Sequence, residues 1–401
     1  MRSAVRAGRA FRRDPLAFVR GLGEWRDVMR FHTGLSEFTL VNHPDLIRRI
    51  LVPDNDLYGE GKWTLRGKHV MGDCLITREG DAHRQRRALV GPSFDRKRLA
   101  ERVPAMVRCV ERLTAGWASG DRIDAHRAMG QLAITMAGAV LFDADLESEA
   151  AELSDALVVM LGAIPRLPLP SRRLAAARRR VERTAARLTG GDLVSRLRQA
   201  GLFEAEIRDE LVSLLIAAVD TTPRALAWTW FLLGRHPSVE SRFHEELLAV
   251  LGGGPATGDD LQRLTFMQMV LNETLRLYPP VHFIDRRPLR DVELGGVRVR
   301  AGSYMLLSPL ITHRDPRFFE EPGVFRPERW DPSCAAQRPG RLSFPFGAGP
   351  HACIGEGLAR LEISITLATV AAHWRLRPAP ELPGEPSPQT ARLPMILERR
   401  G

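Results

Sequence analysis

Twelve residues near the C-terminus crowd three glycines and two prolines around one cysteine: Phe344-Pro345-Phe346-Gly347-Ala348-Gly349-Pro350-His351-Ala352-Cys353-Ile354-Gly355. No regular helix or strand runs through that density of glycine and proline. The segment that follows, Leu358 to His373, carries apolar residues at helical spacing. The fold must therefore hold an irregular loop that delivers a thiol to the start of a helix. Free backbone N–H groups and the positive end of the macrodipole favour a thiolate there. A thiolate with backbone donors suits a strongly electron-donating axial metal ligand. Taken alone, the segment is also compatible with a buried cysteine in a glycine turn.

Most of the remaining chain reads as amphipathic helix, including Val103 to Trp117, Gln131 to Phe142 and Glu204 to Leu233. Strand-like pieces are few. Glu37 to Val41 precedes His43-Pro44-Asp45, a helix-start signal, and Val292 to Leu307 alternates around Gly295-Gly296 and Ala301-Gly302 as a small hairpin would. Proline-rich joints fall at Ile164 to Ser171, Tyr278 to Pro280 and Glu321 to Pro332, and none separates two autonomous halves. With 401 residues, 44% of them hydrophobic, the expectation is one large, mainly α domain with a small β part over 1–401, with a short extension at about 1–14. That arginine-rich extension lacks a signal h-region. No stretch is read as approaching the roughly eighteen apolar residues of a membrane span, so a soluble, cytoplasmic protein is expected. The cysteines, Cys74, Cys109, Cys334 and Cys353, form no C-x-x-C pair, which points to reduced thiols rather than a disulfide or zinc scaffold.

Lys+Arg of 58 against Asp+Glu of 48 gives a net charge of +10, almost all of it arginine, since the only lysines are Lys62, Lys68 and Lys97. The arginines are scattered among apolar and acidic neighbours with no nucleic-acid module, so no nucleic-acid partner is expected. A basic face that docks an acidic protein fits better.

Phe346, Gly349, Cys353 and Gly355 meet the spacing F-x-x-G-x-x-x-C-x-G. In this the chain resembles the cytochrome P450 family, from about His43 to its end. The resemblance implies the family fold around a buried haem b, with the Cys353 thiolate on iron and with Phe346 and Gly347 in the haem-binding loop. Glu273 and Arg276, three apart on one helical face, are similar to the family's E-x-x-R pair, whose later partner would be Arg329. Asp220 and Thr221, in Leu214 to Thr222, match the distal acid and alcohol that manage protons near iron, with the small Ala217 and Ala218 leaving room above the haem. A threonine that bonds back to its own helix is the competing reading, and Pro223 is expected to open or kink the helix. His83 and Arg87 look like the H-x-x-x-R propionate contacts, joined by Arg286 and His351. Arg286 could exchange roles with Arg287.

Such a protein would insert one oxygen atom from dioxygen into a lipophilic secondary-metabolite intermediate, with a terpenoid favoured over a macrolide, peptide or fatty acid. The chain has no flavin or iron–sulfur module, so electrons would come from a ferredoxin and its reductase. The ferredoxin would dock on a basic face that includes Arg84 and Arg86. A monomer is expected. A peroxygenase or oxidative coupling catalyst is the first alternative and a non-catalytic haem protein the second. Both would fit better had Asp220 and Thr221 been replaced. The helix before Gly190-Gly191, near Arg183 to Asp192, reads as truncated. Pocket walls are sought at Trp63 to Ile76, Leu161 to Leu169, Val281 to Ile284 and Leu393-Pro394, with His282 as a polar exception.

Overall fold

The computed structural model describes residues 10–11, 13–14, 17–18, 26–33, 36–164, 171–333, 342–382, 384, 386–388, 390 and 392–400. Most of the N-terminal extension, the joint at 165–170 and Cys334 lie outside the described residues.

Helices dominate. Those of eight residues or more are α1 (Pro44–Leu51), α2 (Gly80–Val90), α3 (Val103–Thr114), α4 (Ala125–Leu141), α5 (Ala150–Leu161), α6 (Arg172–Arg187), α7 (Gly191–Gln199), α8 (Glu204–Arg235), α9 (Pro237–Leu251), α10 (Thr265–Leu277) and α11 (Glu356–His373). Their ends follow capping chemistry. At α1 the His43 ring accepts from the Asp45 N–H, Pro44 occupies the first turn, and Arg48 and Arg49 sit in the last. The helix before Gly190-Gly191, read as truncated, is α6, which runs for sixteen residues and ends at Arg187.

The longest helix, α8, has 32 residues and so spans about 48 Å. By length and apolarity it could cross a membrane, which corrects the reading that no stretch approaches that size. Its apolar side chains are committed to the core instead: α4, buried on nearly all sides, packs along it, and Trp228 stacks on Tyr278 at the end of α10 with 3.8 Å between ring centroids. A helix apolar all round is what the centre of a large helical protein requires. Pro223 does not end α8, which continues through it. The proline removes one ladder donor, but buried Val219 and Thr222 before it and buried Ala225 and Leu226 after it hold the helix on both sides.

The β part is small. Strands β1 (Val28–Thr33), β2 (Ser36–Val41), β3 (Tyr58–Glu60), β5 (Ile284–Pro288) and β8 (Tyr304–Leu307) form a sheet in the order β1-β2-β8-β5-β3, parallel only between β2 and β8. Strands β4 (Arg122–Asp124), β9 (Trp374–Pro378) and β10 (Pro394–Arg399) make a second sheet, and β6 (Val292–Leu294) with β7 (Val297–Val299) the expected hairpin. Within the N-terminal extension, Phe11 packs on the fold. It is buried, with its ring centroid 4.9 Å from that of Phe31 and 5.3 Å from that of Phe283.

Candidate active site

Backbone hydrogen bonds shape the cysteine loop. Gly347 N–H donates to the Phe344 carbonyl at 3.0 Å, Ala352 N–H to Gly349 at 3.0 Å, and Cys353 N–H to Phe346 at 2.9 Å. Gly349, at φ +71°, lies so close to α1 that a Cβ would collide with the Leu51 carbonyl. From outside, Arg87 Nη1 donates to the Ala352 carbonyl at 2.8 Å, and the Arg360 guanidinium lies 5.0 Å from the Phe346 ring centroid. Cys74 and Cys109 are buried, while Cys353 is accessible although protein surrounds it on most sides. That surrounding mass pushes the Cys353 thiol pKa up. A hydrogen bond from the Gly355 backbone and the charge of Arg87 act against this, and Glu356 adds to it. The backbone donor expected at the helix start is present in the Gly355 N–H, and desolvation outweighs it. A bound metal deprotonates such a thiol outright.

Beneath the loop lies a buried ionic network. Glu273 and Arg276, both fully buried on α10, form a two-pronged pair at 2.8 Å and 2.8 Å. Glu273 also accepts from Arg329 Nε (3.2 Å), the Trp330 indole (2.9 Å) and the Arg326 backbone (3.0 Å). Arg276 donates onward to the carbonyls of His313 (2.7 Å) and Pro322 (2.8 Å). His313, which the sequence reading did not single out, accepts at Nε2 from the Phe344 N–H at 3.0 Å. Burial, then the charges of Arg276 and Arg314, lower its pKa to about 3, so it stays neutral and free to accept. The cysteine loop thus hangs from the ionic network through one imidazole.

On α8 the buried pattern breaks at mid-helix. Ala217 is exposed, and Ala218, Asp220, Thr221 and Arg224 are partly accessible, between neighbours that are closed. At three- and four-residue spacing they form one stripe. Thr221 Oγ1 donates to the Ala217 carbonyl at 2.8 Å. Asp220 accepts from Arg224 Nε at 2.9 Å, and His126 Nε2 of α4 lies 3.6 Å from its other oxygen. His282 stands close enough for Arg224, Arg314 and Asp220 to influence it. Burial first, then the two arginines, lower its pKa to about 4.

The residues matched to the family's propionate contacts lie close together. The His83 and His351 rings stack with centroids 3.9 Å apart. His351 Nδ1 lies 2.9 Å from Glu60 Oε1, and Arg286 Nη1 lies 2.8 Å from Glu60 Oε2. Arg287 points elsewhere, to Glu79 at 2.8 Å. Arg86 is not a surface cation as expected. It is buried and pairs with Glu206 (3.0 Å) and Glu210 (3.3 Å) of α8, because its side of α2 faces that helix. Arg84 is exposed and paired with Asp81.

The donor set decides what this region fits. Among the described residues no group of three His, Cys, Asp or Glu side chains could hold a metal. A metal on Cys353 would find its other donors outside such a group, as a haem iron does in its porphyrin. An accessible thiol, an accessible stripe of small side chains and a cluster of cations fit a porphyrin with acidic edges.

The Cytochrome P450 family model matches residues 180–398. The chain is 34% identical to cyclooctatin synthase of Streptomyces melanosporofaciens, over 94% of this chain and 89% of that one. It is 32% identical to cyclooctat-9-en-7-ol 5-monooxygenase of the same organism, over 92% and 86%. Pentalenene oxygenase of Streptomyces avermitilis is 28% identical over 92% and 88%. Set beside a helical fold with a glycine-bound cysteine loop, these matches place the chain in the cytochrome P450 family, as a monooxygenase whose haem b is ligated by a cysteine thiolate.

Proposed function

We propose that this protein oxidises a lipophilic terpenoid intermediate of secondary metabolism, with Cys353 as the iron ligand and Asp220 and Thr221 as its distal machinery. Bound haem supplies the reductive activation of dioxygen and the transfer of one oxygen atom to carbon. Three groups of side chains serve that chemistry. Phe346, Gly347 and Cys353 shape the proximal side, where the Gly355 N–H and Arg87 partly neutralise the thiolate. His83, Arg87, Arg286 and His351 anchor the acidic edge. Thr221 gives its own hydrogen to the Ala217 carbonyl and so turns only lone pairs outward. With haem bound, it would act as an acceptor that orients a donor on the distal side. Asp220, held by Arg224 and facing His126, passes protons, and the small, exposed Ala217 leaves room beside it.

The observations that carry this reading are the accessibility of Cys353, where Cys74 and Cys109 are buried, and the accessible stripe of α8. The terpenoid substrate rests on two relatives whose names specify cyclooctat-9-en-7-ol and pentalenene as what they oxidise. Turnover with terpene hydrocarbons and alcohols under labelled dioxygen, read by mass spectrometry, should give products carrying one labelled oxygen. Label entering only fatty acids or macrolides would remove the terpenoid assignment.

Electrons come from a separate ferredoxin and its reductase. With Arg86 buried, the basic docking face moves to exposed Arg96 and Lys97, on the short helix Arg96–Glu101 that packs against α11 beside the cysteine loop. Lys97→Glu should slow reduction by an added ferredoxin and weaken its dependence on salt. An unchanged rate would rule this face out.

A further inference from the structure

The cation cluster already contains a carboxylate. Glu60 lies at the end of β3, buried to 6% exposure, and each of its oxygens meets a different member of the cluster: Oε2 takes Arg286 at 2.8 Å and Oε1 faces His351 at 2.9 Å. Sheet register fixes this arrangement. Glu60 pairs directly with Arg286 across the antiparallel β3–β5 ladder, while its neighbour Gly59 pairs with Arg287. The glycines on either side keep the strand close to two other carboxylates. A Cβ at Gly59 would collide with Glu79, which accepts from the Glu60 N–H at 2.8 Å and from Arg287. A Cβ at Gly61 would collide with Asp285, which accepts from the backbone of Trp63 and the hydroxyl of Thr64. Gly59-Glu60-Gly61 is thus clamped from both sides, and the glutamate has one direction left, inward to Arg286 and His351.

We infer that Glu60 is a positioning residue for the haem edge, which fixes Arg286 and His351 where propionates meet them and biases the iron towards its ferric state. The inference rests on the haem-thiolate reading given above. Two propionates bring two carboxylates to a cluster whose Arg286 is already matched by Glu60. Burial keeps His83 neutral, so the net charge next to the porphyrin edge is lower by one than Arg87 and Arg286 alone would make it. Reduction of ferric to ferrous iron adds one electron, supplied by the ferredoxin in turnover and by dithionite in a titration. A fixed negative charge nearby opposes that electron by Coulomb repulsion, and burial leaves it little screened by salt.

The test is a spectroelectrochemical titration of the holoprotein with mediators, on the wild type, Glu60→Gln and Glu60→Asp. Glu60→Gln should move the reduction potential in the positive direction while the carbon monoxide spectrum stays that of thiolate-ligated haem. Glu60→Asp, which keeps the charge, should stay near the wild-type value. Should Glu60→Gln fail to retain haem, Arg286→Gln provides the mirror measurement, since it leaves Glu60 uncompensated and should shift the potential negative. A Glu60→Gln protein with the thiolate spectrum and an unmoved potential would reduce Glu60 to a plain strand-pairing residue. A wild type without the thiolate spectrum would instead overturn the reading on which the inference rests.

Discussion

Asp220 is the side chain whose surroundings most directly state a task. It sits mid-helix in α8 with one oxygen on Arg224 and the other facing His126. Carboxylates in a helix core are costly without partners, and both of these lie on the accessible side of the helix. Asp220→Asn keeps the shape and removes the proton-carrying group. Product formation should then fall by about 10²-fold, with little change in substrate-induced spin shift. Thr221→Ala removes the acceptor, and oxygen uptake should divert from product to hydrogen peroxide. Wild-type coupling of oxygen uptake to product in both variants would remove the pair from the chemistry.

Among the elements, α10 and the cysteine loop depend on each other. Glu273 has no exposure and holds Arg276, Arg329, Trp330 and the Arg326 backbone at once. Removing one partner strands a buried charge, at a cost of about 3–5 kcal/mol. Arg276→Ala should lower the urea midpoint accordingly and release haem, because the His313 carbonyl loses its donor and the imidazole beneath Phe344 loses its anchor. A midpoint within error of wild type would show the network to be dispensable.

Helices of this kind were legible in the sequence because a 3.6-residue period survives any tertiary context. The cysteine loop was legible because glycine and proline leave so few alternatives. The Glu60–Arg286 pair was not. It joins residues 226 apart, and only the register of β3 on β5 reveals it. His313 carried no signal beyond being a histidine near the E-x-x-R partner segment. The burial of Arg86 was hidden because Arg84, Arg86 and Arg87 look alike until the helix is rotated into place. Pro223 marked a missing ladder donor, and the helix continues through it.

For the whole molecule, buried titratable groups set a pH window. Burial, helped by neighbouring cations, lowers His83 and His282 to about 4 and His313 to about 3. The unfolded chain takes up protons on these imidazoles at about 6.5, so stability drains away as pH falls below that value. Burial raises Glu210 to about 7 and Glu362 to about 8. Their contribution is complete below about 4.5 and is lost as pH rises through about 8. The opposing slopes cross near about pH 6, where thermal stability should peak. Glu362→Gln should flatten the alkaline fall in melting temperature and move the optimum to higher pH. An identical alkaline fall in the variant would show that Glu362 is not its source.

The measurement that bears most directly on the central claim is the difference spectrum of the dithionite-reduced protein with and without carbon monoxide. Thiolate-ligated haem gives the strongly red-shifted Soret band, and that band should be present in the wild type and absent in Cys353→Ala. A band at the ordinary histidine-haem position in the wild type, or the red-shifted band surviving in Cys353→Ala, would contradict the assignment of Cys353 to the iron.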